Sequence, residues 1–185
     1  KSCLALAVAS IFASGIAQAA IEEIIVTANK REQTLQDIPM SVSVTSAEQI
    51  SQSSIVDLID LQSAVPALRV NQLQSSAQTN FIIRGYGNGA NNPGIEPAVS
   101  VYIDGVPRTR SASSLADLPT IQRVEVLSGP QSTLFGKNAS AGVISVSTML
   151  PEQEMGGMIE ATAGNYGSKI IKGTVTGGLT DTVSF

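Results

Sequence analysis

The chain has no histidine, no tryptophan and a single cysteine, Cys3. Aromatic residues make up 4% and charged residues 14%. Each shortage removes a class of function. One cysteine cannot build an internal disulfide framework. Without imidazole there is no histidine base, and with one thiol the usual zinc sets are out of reach. The formal net charge is −4, which argues against a nucleic-acid partner, because phosphates want a basic face. No stretch offers the roughly 18 continuous apolar residues that a membrane-spanning helix needs. A β-barrel would leave a weaker trace, because its strands alternate.

What is present begins with a leader. Lys1 is a positive start, Leu4 to Ala13 is an apolar run, and Ala17-Gln18-Ala19 is an A-x-A cleavage site. Residues 1–19 therefore read as a secretory signal peptide, with the mature chain starting at Ala20. Removing Lys1 and Cys3 with it takes the charge from −4 to −5 and leaves no thiol. The roughly 165 residues that remain suit one domain with part of a second.

Glu22-Glu23-Ile24-Ile25-Val26-Thr27-Ala28 follows directly. It is an acidic, then β-branched strand with nothing local to pair with. It reads either as an ordinary edge strand or as a tethered strand that docks on another protein's sheet edge. Residues 29–39 read as a flexible, charged tether. Met40, Val42 and Val44 alternate with serines, which predicts a half-buried strand. Thr45-Ser46-Ala47-Glu48 predicts a capping box and a short helix. Ser54 to Asp57 repeats the start signal, with Ile55, Leu58 and Ile59 as an apolar helical face ending before Pro66.

Phe81-Ile82-Ile83 is a short apolar strand. Between Gly85 and Pro97 stand four glycines, three asparagines and two prolines, so this is a loop. Val99, Val101 and Ile103 alternate ahead of Asp104-Gly105, a strong hairpin turn. Ser114 to Asp117 caps another helix, ended by Pro119. Gln122 to Ser128 is a strand with Val124 and Val126 on one face and Arg123 and Glu125 on the other. Gly129-Pro130 opens a helix that Gly136 stops, and Val143 to Thr148 is the next strand. After Pro151 the pattern changes. Gly157 to Ala163 and Lys169 to Leu179 read as strands joined by Gly164-Asn165-Tyr166-Gly167, with a third starting at Thr182. These strands find no partners elsewhere in the sequence.

Enzyme signatures fail on inspection. Gly85-Tyr86-Gly87-Asn88-Gly89 departs from G-x-G-x-x-G and leads into a loop. Around Gly136-Lys137, Gln131 stands where a phosphate loop needs glycine and Asn138 replaces Ser/Thr. The Glu22-Glu23 pair lies on an exposed tail, unlike a buried acid/base dyad. No catalytic constellation, metal set or cofactor fingerprint is found, so the chain reads as no enzyme.

Three stretches, in this order and behind a signal peptide, resemble the TonB-dependent receptor family. They are Glu22 to Ala28, which resembles the TonB box; Phe81 to Gly87 followed by Val99 to Val106; and Ile121 to Ala139. The resemblance implies a TonB box and tether over 20–33 and an α+β plug domain, a small mixed sheet with short helices, over 34–150. Over 151–185 it implies the first antiparallel strands of an incomplete transmembrane β-barrel. Barrels of this family have about 22 strands around a plugged lumen, so the sequence reads as an N-terminal fragment. Where the family often has Gly-Gly before the last plug strand, this chain has Ala141-Gly142.

The roles that follow are implied by the resemblance. Glu22, Glu23, Ile24, Ile25, Val26, Thr27 and Ala28 would bind the C-terminal domain of TonB, whose inner-membrane complex supplies the work. The full protein would carry a scarce small-molecule solute of the ferric chelate type across the outer membrane, with no cofactor. Arg84, Arg123 and Glu125 are either surface ion pairs worth about 0–1 kcal/mol or, by the resemblance, ties between plug and barrel wall. The loop bearing Tyr86, Asn88, Asn91 and Asn92 is either plain or lines the solute chamber. Arg108, Arg110 and Phe135 are further candidates for solute contact, and the two arginines suit an anionic chelate. The rival reading is a soluble secreted plug-like binding module without transport activity.

Overall fold

The computed structural model describes residues 25–26, 33–53, 55, 57–88, 94–110, 113 and 120–185. The signal peptide reading, the Ser114 to Asp117 helix and most of the Glu22 to Ala28 strand lie outside these residues.

At the centre is a five-stranded mixed sheet. Its strands are β3 (Val42–Ser46), β6 (Val99–Ile103), β7 (Val106–Arg108), β8 (Ile121–Ser128) and β9 (Gly142–Thr148), in the order β3-β8-β9-β6-β7. Neighbours are antiparallel except β6 and β9, which run parallel. The alternation read from the sequence decides which side chains go where. Val124, Val126, Ile144, Val146, Val99 and Val101 point to one core. Leu127, Val143 and Tyr102, one residue out of phase, point to a second core on the other face.

A hairpin and a 3₁₀ turn cover the first core. The hairpin pairs β4 (Leu68–Gln72) with β5 (Thr79–Ile83), and Phe81, Ile83, Leu68 and Val70 are buried. The turn, Asp60–Ser63, brings Leu61 into the same core with Leu58 and Val65. A longer helix is anticipated there. Instead the Asp57 carboxylate accepts from the amides of Ile59 and Asp60 and starts a single 3₁₀ turn, which Pro66 ends soon after. The β4 strand itself is absent from the sequence reading.

The second core is covered by the N-terminal segment. β1 (Ile25–Val26) pairs antiparallel with β2 (Gln33–Thr34), and a 3₁₀ turn over Leu35–Asp37 leads to buried Ile38. This corrects two expectations. The coupling strand does have a local partner, and residues 33–38 of the expected flexible tether are held in place. The physical cause is Val26, whose side chain finds an apolar patch on the sheet.

Smaller shifts have local reasons. The helix α1 (Ala47–Gln52) is capped by Ser46 and Gln49, not by Thr45 and Glu48. The Ser46 hydroxyl accepts from the Gln49 amide (3.4 Å), and the Gln49 side chain accepts from the Ser46 amide (3.2 Å). β3 runs through Ser46, so the cap falls one residue later. The helix α2 (Ser132–Phe135) starts after Pro130, with Gln131 as its cap, and Gly136 (φ 76°) stops it. Ala141 needs no left-handed backbone. It is Gly142 that is fixed, since a Cβ there would lie 2.4 Å from the Leu127 carbonyl oxygen.

Beyond the sheet, β10 (Gly156–Ala163) and β11 (Lys169–Thr176) form an antiparallel hairpin. β12 (Gly178–Thr180) pairs with β13 (Val183–Ser184). These strands pair with one another, in the antiparallel sense expected of them. Among the described residues no helix is long and apolar enough to cross a membrane, which says nothing about strands.

Candidate functional site

Four features of this fold bear on function: the docked N-terminal strand, a charged pair on β8, the loop after β5, and the two-faced hairpin β10–β11.

Of the seven residues read as a coupling strand, Ile25 and Val26 are described; Glu22, Glu23, Ile24, Thr27 and Ala28 are not. Val26 is 0% exposed. It packs in the second core with Ile38, Tyr102, Leu127, Phe135 and Val143. Phe135 stands at the end of α2. Its ring meets Tyr102 edge to face at 5.1 Å, and its carbonyl accepts the Tyr102 hydroxyl. Phe135 thus serves as wall for the N-terminal strand, a role the sequence did not suggest.

On β8, Arg123 Nε donates to Glu125 Oε1 at 2.8 Å. Residues two apart on a strand share a face, as the sequence implied; their pairing with each other was not part of that reading. The Glu125 side chain is 0% exposed and that of Arg123 20% exposed. A carboxylate so buried needs its partner, because an unpaired charge in a dry interior is costly. Arg84 lies elsewhere, at the end of β5. With Gly85 it forms the centre of a tight turn closed by Ile83 and Tyr86, whose amides and carbonyls bond reciprocally at 3.0 Å. Arg84 has φ 51° and Gly85 φ 80°. The same left-handed pair occurs at Asp104 (φ 49°) and Gly105 (φ 77°). Aspartate suits that first position; arginine is unusual in it.

The loop after β5 is described over 85–88 and 94–97, so Asn91 and Asn92 are outside view. Tyr86 is 58% exposed. Gly87 lies so close to β5 that a Cβ would come within 2.6 Å of the Phe81 carbonyl oxygen. Asn88 donates through Nδ2 to the Glu96 carbonyl, closing the loop on itself. The Glu96 carboxylate then meets Lys137 Nζ at 2.7 Å, tying the loop to the segment after α2. Nothing in the sequence pointed to this pair, whose members stand 41 residues apart. Arg108 is exposed on the edge strand β7. Arg110 is exposed just beyond, its carbonyl accepting from the Ser113 amide and hydroxyl. The structure thus leaves Arg108, Arg110 and Tyr86 open to solvent and buries Phe135.

The β10–β11 hairpin has two unlike faces. Ile159, Ala161, Ile171 and Val175 share one face by register, with Ile159 85% and Ile171 80% exposed. Glu160, Thr162, Lys172, Thr174 and Thr176 share the other with Met158 and Ile170, Glu160 standing opposite Lys172, while Lys169 ends the first face beside the turn. This polar face is the one that meets the sheet domain. The Thr174 hydroxyl bonds the Thr120 hydroxyl at 3.1 Å, and the Glu152 amide donates to Thr176 Oγ1 at 2.8 Å.

Among the described residues no group of His, Cys, Asp and Glu could hold a metal ion. Comparison with known proteins gives a consistent result. Residues 34–143 match the family model of the TonB-dependent Receptor Plug Domain. The pesticin receptor of Yersinia pestis is 30% identical over 159 residues, covering 85% of this chain and 23% of that protein. The vitamin B12 transporter BtuB of Vibrio vulnificus is 31% identical over 180 residues, covering 91% and 28%. Among solved structures, the ferric yersiniabactin uptake receptor FyuA of Yersinia pestis aligns with a TM-score of 0.71 at 30% identity, over 77% of this chain and 22% of that one. The chain thus spans about a quarter of the length of these relatives. The family is one of receptors and transporters, not enzymes. A sheet with a chain segment docked on one face, backed by a two-faced hairpin and matched over 34–143, makes this chain a member of the TonB-dependent receptors, of which it carries the plug.

Proposed function

We propose that this chain is the N-terminal part of a transporter that imports a small solute across the outer membrane using work delivered by TonB. The observation that carries this reading is the β10–β11 hairpin. Its polar face bonds the plug, and its apolar face is left bare. In water that bare face would be a liability. Against lipid tails it is what a barrel strand needs, with apolar residues outward and polar residues toward the lumen.

The remaining parts follow from this arrangement. The leader over 1–19 exports the chain. The strand over Glu22 to Ala28 pairs with the TonB C-terminal domain by β-augmentation, each main-chain bond contributing roughly 0.5–1.5 kcal/mol. Because Val26 is buried, TonB can take the strand only after it leaves its seat. Arg84 and Arg123 tie plug to barrel wall, and buried Glu125 acts through Arg123, which it holds in place. For Arg84 the support is its strained backbone: a residue kept at φ 51° where asparagine would fit better is kept for its side chain. Tyr86, Asn88, Asn91, Asn92, Arg108 and Arg110 face the solute, with Phe135 acting from behind through the docked strand. Relatives include receptors for ferric yersiniabactin and ferrioxamine B. The solute proposed here is accordingly a ferric chelate.

The test is binding of a peptide covering Ala20 to Gln33 to a purified TonB C-terminal domain, with Ile24→Pro as control. Proline removes a ladder donor. Binding that the proline variant loses supports the reading. Binding indifferent to proline, or none, leaves a secreted plug-like module.

A further inference from the structure

The ion pair Glu96–Lys137 joins two segments that are held to different degrees. Lys137 stands on a rigid frame. The Gly129 amide donates to the Ala141 carbonyl at 3.0 Å and the Gln131 amide to the Ala139 carbonyl at 2.8 Å, closing the segment at its base. Phe135 and Ala139, on either side of the lysine, are buried, and the Tyr102 hydroxyl holds the Phe135 carbonyl. Gly136 (φ 76°) and Asn138 (φ 67°) both take left-handed backbone, so the chain turns sharply on each side of Lys137. Glu96 stands on the loop. Downstream, the Ala98 carbonyl accepts from the Ala141 amide at 2.9 Å. Upstream, it is the Asn88 side chain, not a backbone ladder, that bonds the Glu96 carbonyl. The carboxylate can swing off the lysine without breaking a strand pair, and the lysine cannot follow it. Both side chains reach solvent, at 66% exposed for Lys137 and 61% for Glu96.

The pair lies at the end of the sheet domain that bears the exposed loop. Ala98 and Ala141, bonded to each other, stand just ahead of β6 and β9. Ile83, the last residue of β5, packs there too: a Cβ on Gly142 would lie 2.6 Å from its Cδ1. Tyr86 and Asn88 follow β5 directly. We propose that Glu96 is a built-in placeholder for an anionic solute: its carboxylate occupies Lys137 when no solute is bound, and an anionic ferric chelate displaces it. The proposal deepens the transport reading and rests on it for the solute that reaches this end. A lysine ammonium is a compact point charge with three donors and no acceptor, so it takes whichever anion is offered. An exposed pair of this kind is weak and easily exchanged. A chelate bearing several anionic oxygens offers Lys137 more than one carboxylate does, and the released Glu96 is left in water. A neutral chelate offers nothing in return for the lost pair. Glu96 thus sets a threshold of charge that a solute must pass, which is selection by competition rather than by added contacts.

The experiment is calorimetric binding to the full-length receptor. The probes are anionic ferric tris-catecholate, ferric citrate, iron-free citrate and a neutral ferric trihydroxamate. Glu96→Gln should tighten the anionic ferric chelates roughly two- to fivefold, and Lys137→Ala should weaken them by as much or more. The neutral trihydroxamate should be indifferent to both. Lys137→Arg keeps the parent preference, and Glu96→Gln/Lys137→Ala matches Lys137→Ala alone. The opposite signs are diagnostic. A tie that merely shapes the loop weakens every probe in both single variants, and that result overturns the proposal. So do equal affinities in the parent and both variants. Opposite shifts with iron-free citrate mean that Lys137 reads free carboxylates; shifts confined to ferric citrate mean that it reads the assembled chelate, and either supports the placeholder. Acetylation of the Lys137 amine, followed by mass spectrometry, gives a second readout. The anionic probes should slow it more in Glu96→Gln than in the parent, and no protection of Lys137 in that variant overturns the proposal. Iron uptake by cells separates the two readings. If no probe enters through the receptor while anions still protect Lys137, the transport reading fails and the placeholder stands. If ferric tris-catecholate enters and neither variant shifts its affinity, transport stands and the placeholder fails.

Discussion

β1 and β3 both lie against the second core, and they are held there by different means. β1 contributes a fully buried valine and a two-residue ladder. β3 contributes half-buried Val42 and Val44 and a five-residue ladder along β8. Burial alone therefore does not measure how firmly a segment is fixed. A single side chain can be completely dry and still sit on a segment that opens by itself, because local opening is governed by how many pairs must break together. The sheet residues beneath, Leu127 and Val143, belong to ladders on both sides and open only with the whole domain.

This contrast can be broken at several points. Leu127→Ala removes a wholly buried side chain from the sheet itself, and should lower global stability by about 3–4 kcal/mol in denaturant unfolding. If the loss is under about 1 kcal/mol, the second core is not part of the cooperative unit. Val26→Ala should weaken its site by about 2 kcal/mol, yet act locally. Amide exchange at Gln33 and Thr34 should quicken while exchange within β8 and β9 stays as it was. An equal increase everywhere would erase the difference between the two strands. Arg84→Asn should raise stability by roughly 1 kcal/mol, since asparagine tolerates the left-handed turn better. No gain, read as an unchanged unfolding midpoint, would mean the arginine side chain already offsets its strain within the plug. The smallest effect belongs to Lys137→Ala. Its pair with Glu96 is exposed on both sides, so the change should be within about 0.5 kcal/mol and fade with added salt.

How far the sequence carried the fold depended on the range of the cause. β6, β8 and β9 were legible because alternation and bounding turns are local. The Asp104-Gly105 turn was legible for the same reason, and its backbone takes the expected left-handed form. β4 was not. Leu68 and Val70 alternate for only a few residues after Pro66, and the strand exists because β5 pairs with it. The capping box slipped by one residue because a strand, which the cap pattern does not see, extends through Ser46. In the candidate site the shared face of Arg123 and Glu125 was legible from two-residue spacing; their bond to each other and the burial of Glu125 were not. The seat of Val26 was not, since its walls come from Ile38, Tyr102, Leu127 and Phe135, far apart in sequence. The grip of Asp104 on Thr148, 44 residues away, was equally invisible. Turn chemistry predicts the backbone at Asp104 and says nothing of what its carboxylate will reach.

The β10–β11 hairpin has a consequence for the order in which such a protein is made. One of its faces is bonded by the Thr120 hydroxyl and the Glu152 amide, and the other exposes Ile159, Ile171 and Val175. Water satisfies the first and rejects the second; oil does the reverse. A chain that completed this hairpin in an aqueous compartment would carry a strip of Ile159, Ile171 and Val175 with nothing to cover it, a surface that invites aggregation. A chain that entered the bilayer before the plug was ready would carry Thr174 and Thr176 there without their partners Thr120 and Glu152. On the transport proposal neither sequence of events is comfortable, so docking on the plug and meeting the lipid would belong to one event in assembly.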